Sequence, residues 1–257
     1  MKILVTTGHK KSRYTLALLN NLLKNENYQI QCVEVKTFNY KRFKKYLKQY
    51  GINKLLKKFV INFFDIKTEI SNETLPIKEY MKELNIPFCS IKSFCDSNGI
   101  KHYLTKNLNS ENLVSHLSNQ QFDLVIYSGG GILRKDFIKI PKIGVLNSHS
   151  GYLPTFRGMN VIEWSLLNNF EPHTTIHFID SGIDTGKILY HEKIPKSNDL
   201  YMIRGNAVVH NLKLISLVLN DLSYYIDNSI FQKKEDGKQY FVMHDSIKNH
   251  VIEKLKF

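Results

Sequence analysis

The alternation of short apolar runs with helical apolar stripes constrains this chain more than any other sequence feature. An apolar run at residues 2–6 stops at Thr7-Gly8, and a second one extends from Ile30 to Val35. Between them leucines recur at helical spacing, at Leu16, Leu18, Leu19, Leu22 and Leu23. Strand, turn, helix and strand in this order open a parallel α/β sheet, and further strands are predicted at Asp123–Tyr127, Gly144–Asn147, Thr174–Ile179 and Ile188–Ile194. We therefore predict an α/β fold with a Rossmann-like, mostly parallel sheet flanked by helices.

The chain length suits one large domain with a small C-terminal addition. It has 257 residues, and the strand–helix alternation runs through residues 1–200. A long helix is predicted at Asp199–Leu222, and a terminal helix at Ser246–Phe257. Between these helices, a short β pair is predicted around Asp236-Gly237. We therefore predict a main domain at 1–200 and a C-terminal part at 201–257, made of helix, β pair and helix.

Composition excludes several classes of protein. No run approaches the roughly 18 apolar residues that a membrane-spanning helix needs. The N-terminal apolar run, Ile3 to Val5, is too short for a signal peptide, so we expect a cytoplasmic protein. The three cysteines are odd in number and widely spaced, which fits neither a disulfide framework nor a zinc site.

The chain is strongly basic. Lys and Arg number 36 against 23 acids, a formal charge of +13. Such a charge attracts nucleotides, nucleic acid or acidic lipid, although a composition rich in Lys, Asn and Ile throughout explains it equally well.

Residues 41–64 are predicted to be a basic helical insertion. The segment has no acidic residue, and two apolar stripes at helical spacing lie on either side of Gly51. We expect a helical hairpin that packs on the domain and exposes a basic face. Contact with an acidic membrane surface or with a partner is the alternative, and a homodimer is left open.

Two loops follow predicted strands at the edge where α/β sheets bind ligands. The loop Gly8–Arg13 precedes a helix, whose free N–H groups favour an anion, and His9, Lys10 and Arg13 would bind it. The alternative is that these side chains point into solvent. The segment Ser128–Gly131 contains three glycines, which allow backbone to approach a ligand closely or form an ordinary turn.

The densest polar residues follow two later strands. Asn147 and His149 are two apart, so an extended backbone points both to one side. Asp184 lies in the glycine-rich turn 180–186. An amide can donate to a developing oxyanion, and imidazole and carboxylate can move a proton, which suits acyl transfer without a covalent nucleophile. Hydrogen bonding within turns is the alternative, and one His with one Asp is too few ligands for a metal.

Three blocks together resemble the signature of the folate-dependent formyltransferases. They are Asn147-Ser148-His149, then Leu153-Pro154 with Arg157-Gly158, and the turn Asp180-x-Gly182-Ile183-Asp184-Thr185-Gly186. Trp164 stands where that family often has a tryptophan. The resemblance covers about residues 120–200. It would make residues 1–200 the catalytic domain, and no family counterpart matches 41–64.

The resemblance implies a role for each site residue. Asn147 would hold the formyl oxygen, His149 would polarise it or shuttle a proton, and Asp184 would orient His149 and help to move the proton. The co-substrate 10-formyltetrahydrofolate would bind, without a metal, to two segments formed by Gly129, Gly130, Gly131, Ile132 and Leu133 and by Ser181 and Gly182. The acceptor would enter beside the loop Gly8–Arg13, near Arg157.

Chain length favours a nucleotide-linked amino sugar as the acceptor. The residues after Ile194 are too few for the five-stranded barrel that the tRNA enzymes of this family carry. We therefore predict small-molecule substrates, a reduced folate and a nucleotide-linked amino sugar, and no nucleic acid partner. Other amine acceptors (a nucleotide, an amino acid or tRNA) and a catalytically idle binding protein stay open.

Overall fold

The computed structural model describes residues 1–36 and 72–256. The predicted basic insertion at 41–64 lies outside the described residues, so that prediction is not tested.

The described residues form nine strands, and seven of them make one sheet. The strands are β1 Lys2–Thr7, β2 Gln29–Val35, β3 Lys101–Thr105, β4 Leu124–Ser128, β5 Gly144–His149, β6 Phe156–Gly158, β7 His173–Phe178, β8 Ile188–Lys193 and β9 Lys238–Tyr240. The order across the large sheet is β3-β2-β1-β4-β5-β7-β8. The strands from β3 to β5 are parallel, whereas β7 and β8 are antiparallel to their neighbours. The predicted mostly parallel α/β sheet is confirmed.

Helices cover both faces of this sheet. They are Arg13–Leu23, Leu75–Glu83, Ile91–Ser97, Glu111–Ser118, Lys135–Ile138, Val161–Leu167, Leu200–Asn220, Leu222–Asp227 and Asp245–Lys254. On one face Ile3, Val5 and Ile126 pack against the first helix and the long helix Leu200–Asn220. On the other face Leu4 and Val125 pack in a second cluster with Phe122 and Phe137. The central strands are buried on both sides, which explains their continuous apolar runs.

The C-terminal segment returns to the middle of the chain. A strand is present after Asp236-Gly237, but its partner is β6, in parallel, so the predicted local pair is not a hairpin. Gly158 has a φ of +98°, and a Cβ there would lie 2.2 Å from the Tyr240 carbonyl oxygen, so β9 can approach β6 only because this residue is glycine. Residues 201–257 are thus joined to the main domain by β9 and by the long helix, which shares the core of the sheet. No helix among residues 1–36 and 72–256 is both long and apolar enough to cross a bilayer.

Candidate active site

Several of the predicted site residues lie at the carboxyl edge of the parallel strands. Strands β1, β4 and β5 all end at this edge, because they run in the same direction. The start of the first helix is tied to it by two contacts, Tyr14 Oη to Ser148 Oγ at 2.8 Å and Thr15 Oγ1 to Ser128 Oγ at 2.7 Å. The loop Gly8–Arg13, the glycine segment and the end of β5 therefore lie around one region.

Asn147 is held by a histidine on the neighbouring antiparallel strand. The register pairs Asn147 with His177, and the Asn147 amide nitrogen lies 3.0 Å from His177 Nε2. His177 Nδ1 lies 2.8 Å from the carbonyl oxygen of Phe178, which can only accept, so Nδ1 carries the proton. Nε2 of the neutral ring is then the acceptor for Asn147. One N–H of the amide is used in this way, and the second remains to donate to a ligand.

His177 had no predicted role, although it lies in the polar segment before Asp184. Its side chain is 1% exposed. Burial lowers its pKa from 6.5 to about 4, helped by the nearby His149 and opposed by Asp184. His177 is therefore neutral at neutral pH, as its bond to Asn147 requires. A histidine inside a run of otherwise buried strand residues is the sequence signal that could have identified it.

His149 lies beside Asp184 and is fixed from the opposite side of its ring. Its Nε2 donates to the Phe156 carbonyl oxygen at 2.9 Å, which leaves Nδ1 facing the carboxylate. The distance from Nδ1 to Asp184 Oδ2 is 3.6 Å, and His177 Nε2 lies 3.8 Å from Oδ1. Both distances exceed a hydrogen bond, so the carboxylate lies close to both imidazoles without being bound to either.

Asp184 is positioned by its backbone and by the strand β6. It has a left-handed backbone with φ +53°, which is uncommon for a residue that is not glycine. Oδ2 accepts from the Gly158 N–H at 2.8 Å. Earlier in the turn, Asp180 Oδ1 accepts from the Gly182 N–H at 2.9 Å and from the Thr185 hydroxyl at 2.6 Å. The structure therefore places Asp184 beside His149 and beside His177, the ring that holds Asn147.

The two predicted folate-contacting segments differ in their surroundings. Gly129, Gly130 and Gly131 all have positive φ. A Cβ on Gly130 would lie 2.7 Å from Leu108 Cδ1, so the backbone of Gly130 lies close to the hydrophobic core. Ile132 is 87% exposed, and Leu133 packs on the second core cluster. Ser181 and Gly182 are exposed at the tip of the Asp184 turn. Contact of these residues with a folate stays a prediction.

The loop Gly8–Arg13 leads into the first helix, and its binding of an acceptor stays a prediction. Ser12 caps the first helix by accepting from the Thr15 N–H, so the helix begins at the site edge. His9 and Lys10 are exposed, whereas the Arg13 guanidinium stacks on the Phe88 ring at 4.0 Å. A flat cation over an aromatic ring is stabilised by the ring quadrupole and still presents its N–H groups at the edge.

Arg157, near which the acceptor was predicted to enter, lies in the interior. It is 3% exposed. Its guanidinium donates to Gln232 Oε1 and to the Lys233 carbonyl oxygen. The strand pair β6–β9 buries it beneath the C-terminal segment, so it cannot project toward an acceptor.

The site combines the Asn147 amide, the His149 imidazole and the Asp184 carboxylate, the last of which is 18% exposed. The part of the chain that the structure describes holds no group of three or more His, Cys, Asp or Glu side chains placed to bind a metal. The site and the sheet define an α/β protein in which an amide, an imidazole and a carboxylate lie together at the carboxyl edge of the parallel strands.

Comparison with known proteins identifies the family. The model of the formyl transferase family matches residues 70–202, more than half of the chain. This chain belongs to the formyl transferase family.

A relative in sequence and two solved structures are similar to this chain. Methionyl-tRNA formyltransferase of Prochlorococcus marinus is 29% identical over 180 residues, which cover 66% of this chain and 54% of the relative. The chain therefore spans about half the length of that relative. A sugar N-formyltransferase from Shewanella has a similar fold, with a TM-score of 0.57 and 16% identity over 98% of this chain and 86% of its own. The N-formyltransferase from Helicobacter canadensis, solved with folinic acid and dTDP-3-aminofucose, has a TM-score of 0.56 and 15% identity, over 99% of this chain and 80% of its own.

Proposed function

We propose that this protein is a cytoplasmic N-formyltransferase that moves a formyl group from 10-formyltetrahydrofolate to an amine. The observation that carries the proposal is the constellation of Asn147, His149 and Asp184 at the carboxyl edge of the sheet, in a chain of the formyl transferase family. When bound, the folate would supply an electrophilic formyl carbon. The donor set fits this group, since an uncharged amide N–H suits an oxygen that becomes negative only during the reaction.

Asn147 and His149 act on the formyl oxygen in this proposal. The Asn147 amide is oriented by the neutral His177 ring, so its free N–H is presented in one direction. A preorganised donor of this kind stabilises developing charge without reorganisation. As an imidazolium, His149 would add a second donor through Nδ1, since its Nε2 already donates to the Phe156 carbonyl oxygen.

Asp184 handles the proton. As the amine attacks, it becomes positively charged, and the carboxylate 3.6 Å from His149 Nδ1 stabilises that charge. The new C–N bond forms, the bond between the formyl carbon and the folate nitrogen breaks, and one proton passes from the amine to that nitrogen. The carboxylate is 18% exposed and is not bound to either imidazole, so it is free to accept and return this proton.

The acceptor that we propose is the amine of a nucleotide-linked amino sugar. The likeness to the Shewanella and Helicobacter canadensis structures, over nearly all of this chain, supports this choice. The basic loop with Arg13 over Phe88 supports an anionic acceptor, since a helix N-terminus and a guanidinium both favour phosphate.

Methionyl-tRNA is the second candidate acceptor. The sequence relatives carry this activity in their names, and the net charge of +13 would also favour an RNA.

A formylation assay separates these candidates. The protein is incubated with 10-formyltetrahydrofolate and, in turn, with dTDP-linked 3-amino and 4-amino sugars, with UDP-linked amino sugars and with methionyl-tRNA. The readouts are release of tetrahydrofolate and the mass gain of one formyl group in the acceptor. Formylation of the tRNA alone would make the sugar assignment wrong and leave formyl transfer standing.

Variants test the roles of the three residues. Asn147→Ala, His149→Ala and Asp184→Ala should each lower kcat at least about a hundredfold with the fold intact, as loss of an oxyanion donor or proton shuttle usually does. His250→Ala, at an exposed position on the terminal helix, is the matched control and should keep wild-type turnover. If two of the three variants turn over at close to the wild-type rate, the assignment is wrong.

A further inference from the structure

Gln232, in the C-terminal segment, binds the turn that carries Asp184. Its Nε2 donates to the carbonyl oxygen of Asp184 at 3.2 Å and to that of Gly186 at 2.5 Å. One side chain thus holds two backbone groups of the same turn. Because these carbonyls lie on either side of Thr185, the contact fixes the path of the backbone at Asp184.

Arg157 fixes the orientation of Gln232. Its Nε and Nη2 donate to Gln232 Oε1 at 3.2 Å and 3.0 Å, and Nη2 also donates to the Lys233 carbonyl oxygen at 2.8 Å. A guanidinium can only donate, so the amide oxygen must face it and the amide nitrogen must face the turn. The buried Arg157 therefore allows only one orientation of the amide.

Strand β6, which contains Arg157, also binds the carboxylate of Asp184. Gly158, next to Arg157 in β6, donates to Asp184 Oδ2 at 2.8 Å. Asp184 has a left-handed backbone, a conformation that costs a non-glycine residue energy and persists when surrounding contacts determine it. Arg157, Gln232 and Gly158 supply such contacts from the two sides of the residue.

We propose that Gln232 is a positioning residue, which with Arg157 clamps the turn so that the Asp184 carboxylate faces His149. The inference rests on the proposed function, in which Asp184 moves the proton. The Gln232 clamp, formed by Gln232 and Arg157, makes the C-terminal segment part of the active site. The segment is brought there by the pairing of β9 with β6.

The test is the substitution Gln232→Glu. It keeps the acceptor oxygen for Arg157 and even strengthens that contact by charge, but it removes the N–H groups that hold the two carbonyls. The matched control is Gln239→Glu, the same change at an exposed position in β9. If the glutamate variant does not fold, Gln232→Met, which has a similar volume and no donor, takes its place.

Three measurements are made on each variant: kcat and KM for both substrates, the melting temperature, and hydrogen exchange of the amides in residues 180–186. For Gln232→Glu we expect kcat to fall about tenfold with both KM values within about twofold, because a displaced Asp184 carboxylate would weaken proton transfer in the transition state and leave substrate binding nearly unchanged. Exchange should become faster in 180–186, and the melting temperature should stay near that of the control.

The outcomes separate the clamp from the proposed function. A kcat equal to that of Gln239→Glu, or a loss of kcat with faster exchange throughout the sheet, overturns the positioning role. If the wild type formylates none of the amines offered, the proposed function fails. The exchange comparison then decides the clamp by itself, and unchanged exchange in 180–186 overturns it.

Discussion

The buried histidine beside Asn147 predicts that acid destabilises this protein. His177 is 1% exposed, and burial, helped by His149, lowers its pKa from 6.5 to about 4. Since the folded-state pKa lies below the unfolded one, the unfolded chain binds the extra proton between these pH values. The stability from neutral His177 is fully present above about pH 6.5 and is lost as the pH falls toward about 4.

The magnitude follows from the size of the shift. One pKa unit is worth about 1.4 kcal/mol, so the displacement from 6.5 to about 4 amounts to about 3 kcal/mol. Between about pH 7.5 and about pH 4.5, most of this should disappear, about 2 to 3 kcal/mol. The loss is large beside the total stability of an ordinary domain.

The assay is urea unfolding of the wild type and of His177→Gln at these two pH values. Glutamine can still accept from Asn147 but does not titrate in this range, so the variant should lose about 2 to 3 kcal/mol less than the wild type on acidification. It will retain some sensitivity, because burial also lowers the pKa of His191 and of His210. The control His250→Gln, at an exposed position, should behave as the wild type does. If wild type and His177→Gln lose the same free energy, the burial of a neutral His177 does not explain the effect of acid.

Further predictions concern the acceptor loop, the ion pair between Arg204 and the buried Glu163, and the first helix. Arg13→Ala should raise KM for a nucleotide-linked amino sugar at low salt and flatten the rise of KM with salt, because dissolved ions screen a pair of exposed charges. An unchanged KM at every salt concentration would remove Arg13 from the acceptor site. Arg204 Nη1 lies 2.6 Å from Glu163, whose side chain is 2% exposed. Arg204→Met should lower the free energy of unfolding, measured in urea, by about 3 kcal/mol, because the buried carboxylate loses most of the positive charge that balances it. A loss below about 1 kcal/mol would contradict this. Ser12→Ala should cost about 1 kcal/mol of stability through loss of the helix cap, and an unchanged urea midpoint would refute it.

The local features of the site could be predicted from the sequence. The spacing of Asn147 and His149 places both on one side of a strand, because side chains alternate along an extended backbone whatever the fold. The glycine-rich turn that carries Asp184 was predicted between two strands and is found there, between β7 and β8. The parallel order of β1, β4 and β5 follows from the strand–helix alternation, since a helical crossover returns the chain in the same direction.

Tertiary structure alone decided which distant residues meet. His177 reaches Asn147 through the antiparallel register of β5 and β7, and a slip of one residue would point it to the other face. The sequence predicted Arg157 near the acceptor, but β9 pairs with its strand, and its partner Gln232 lies 75 residues further along the chain. Periodicity reports which face a residue occupies, because that depends on local backbone geometry. Partners at this separation depend on how the C-terminal segment folds back over β6, which no local pattern encodes.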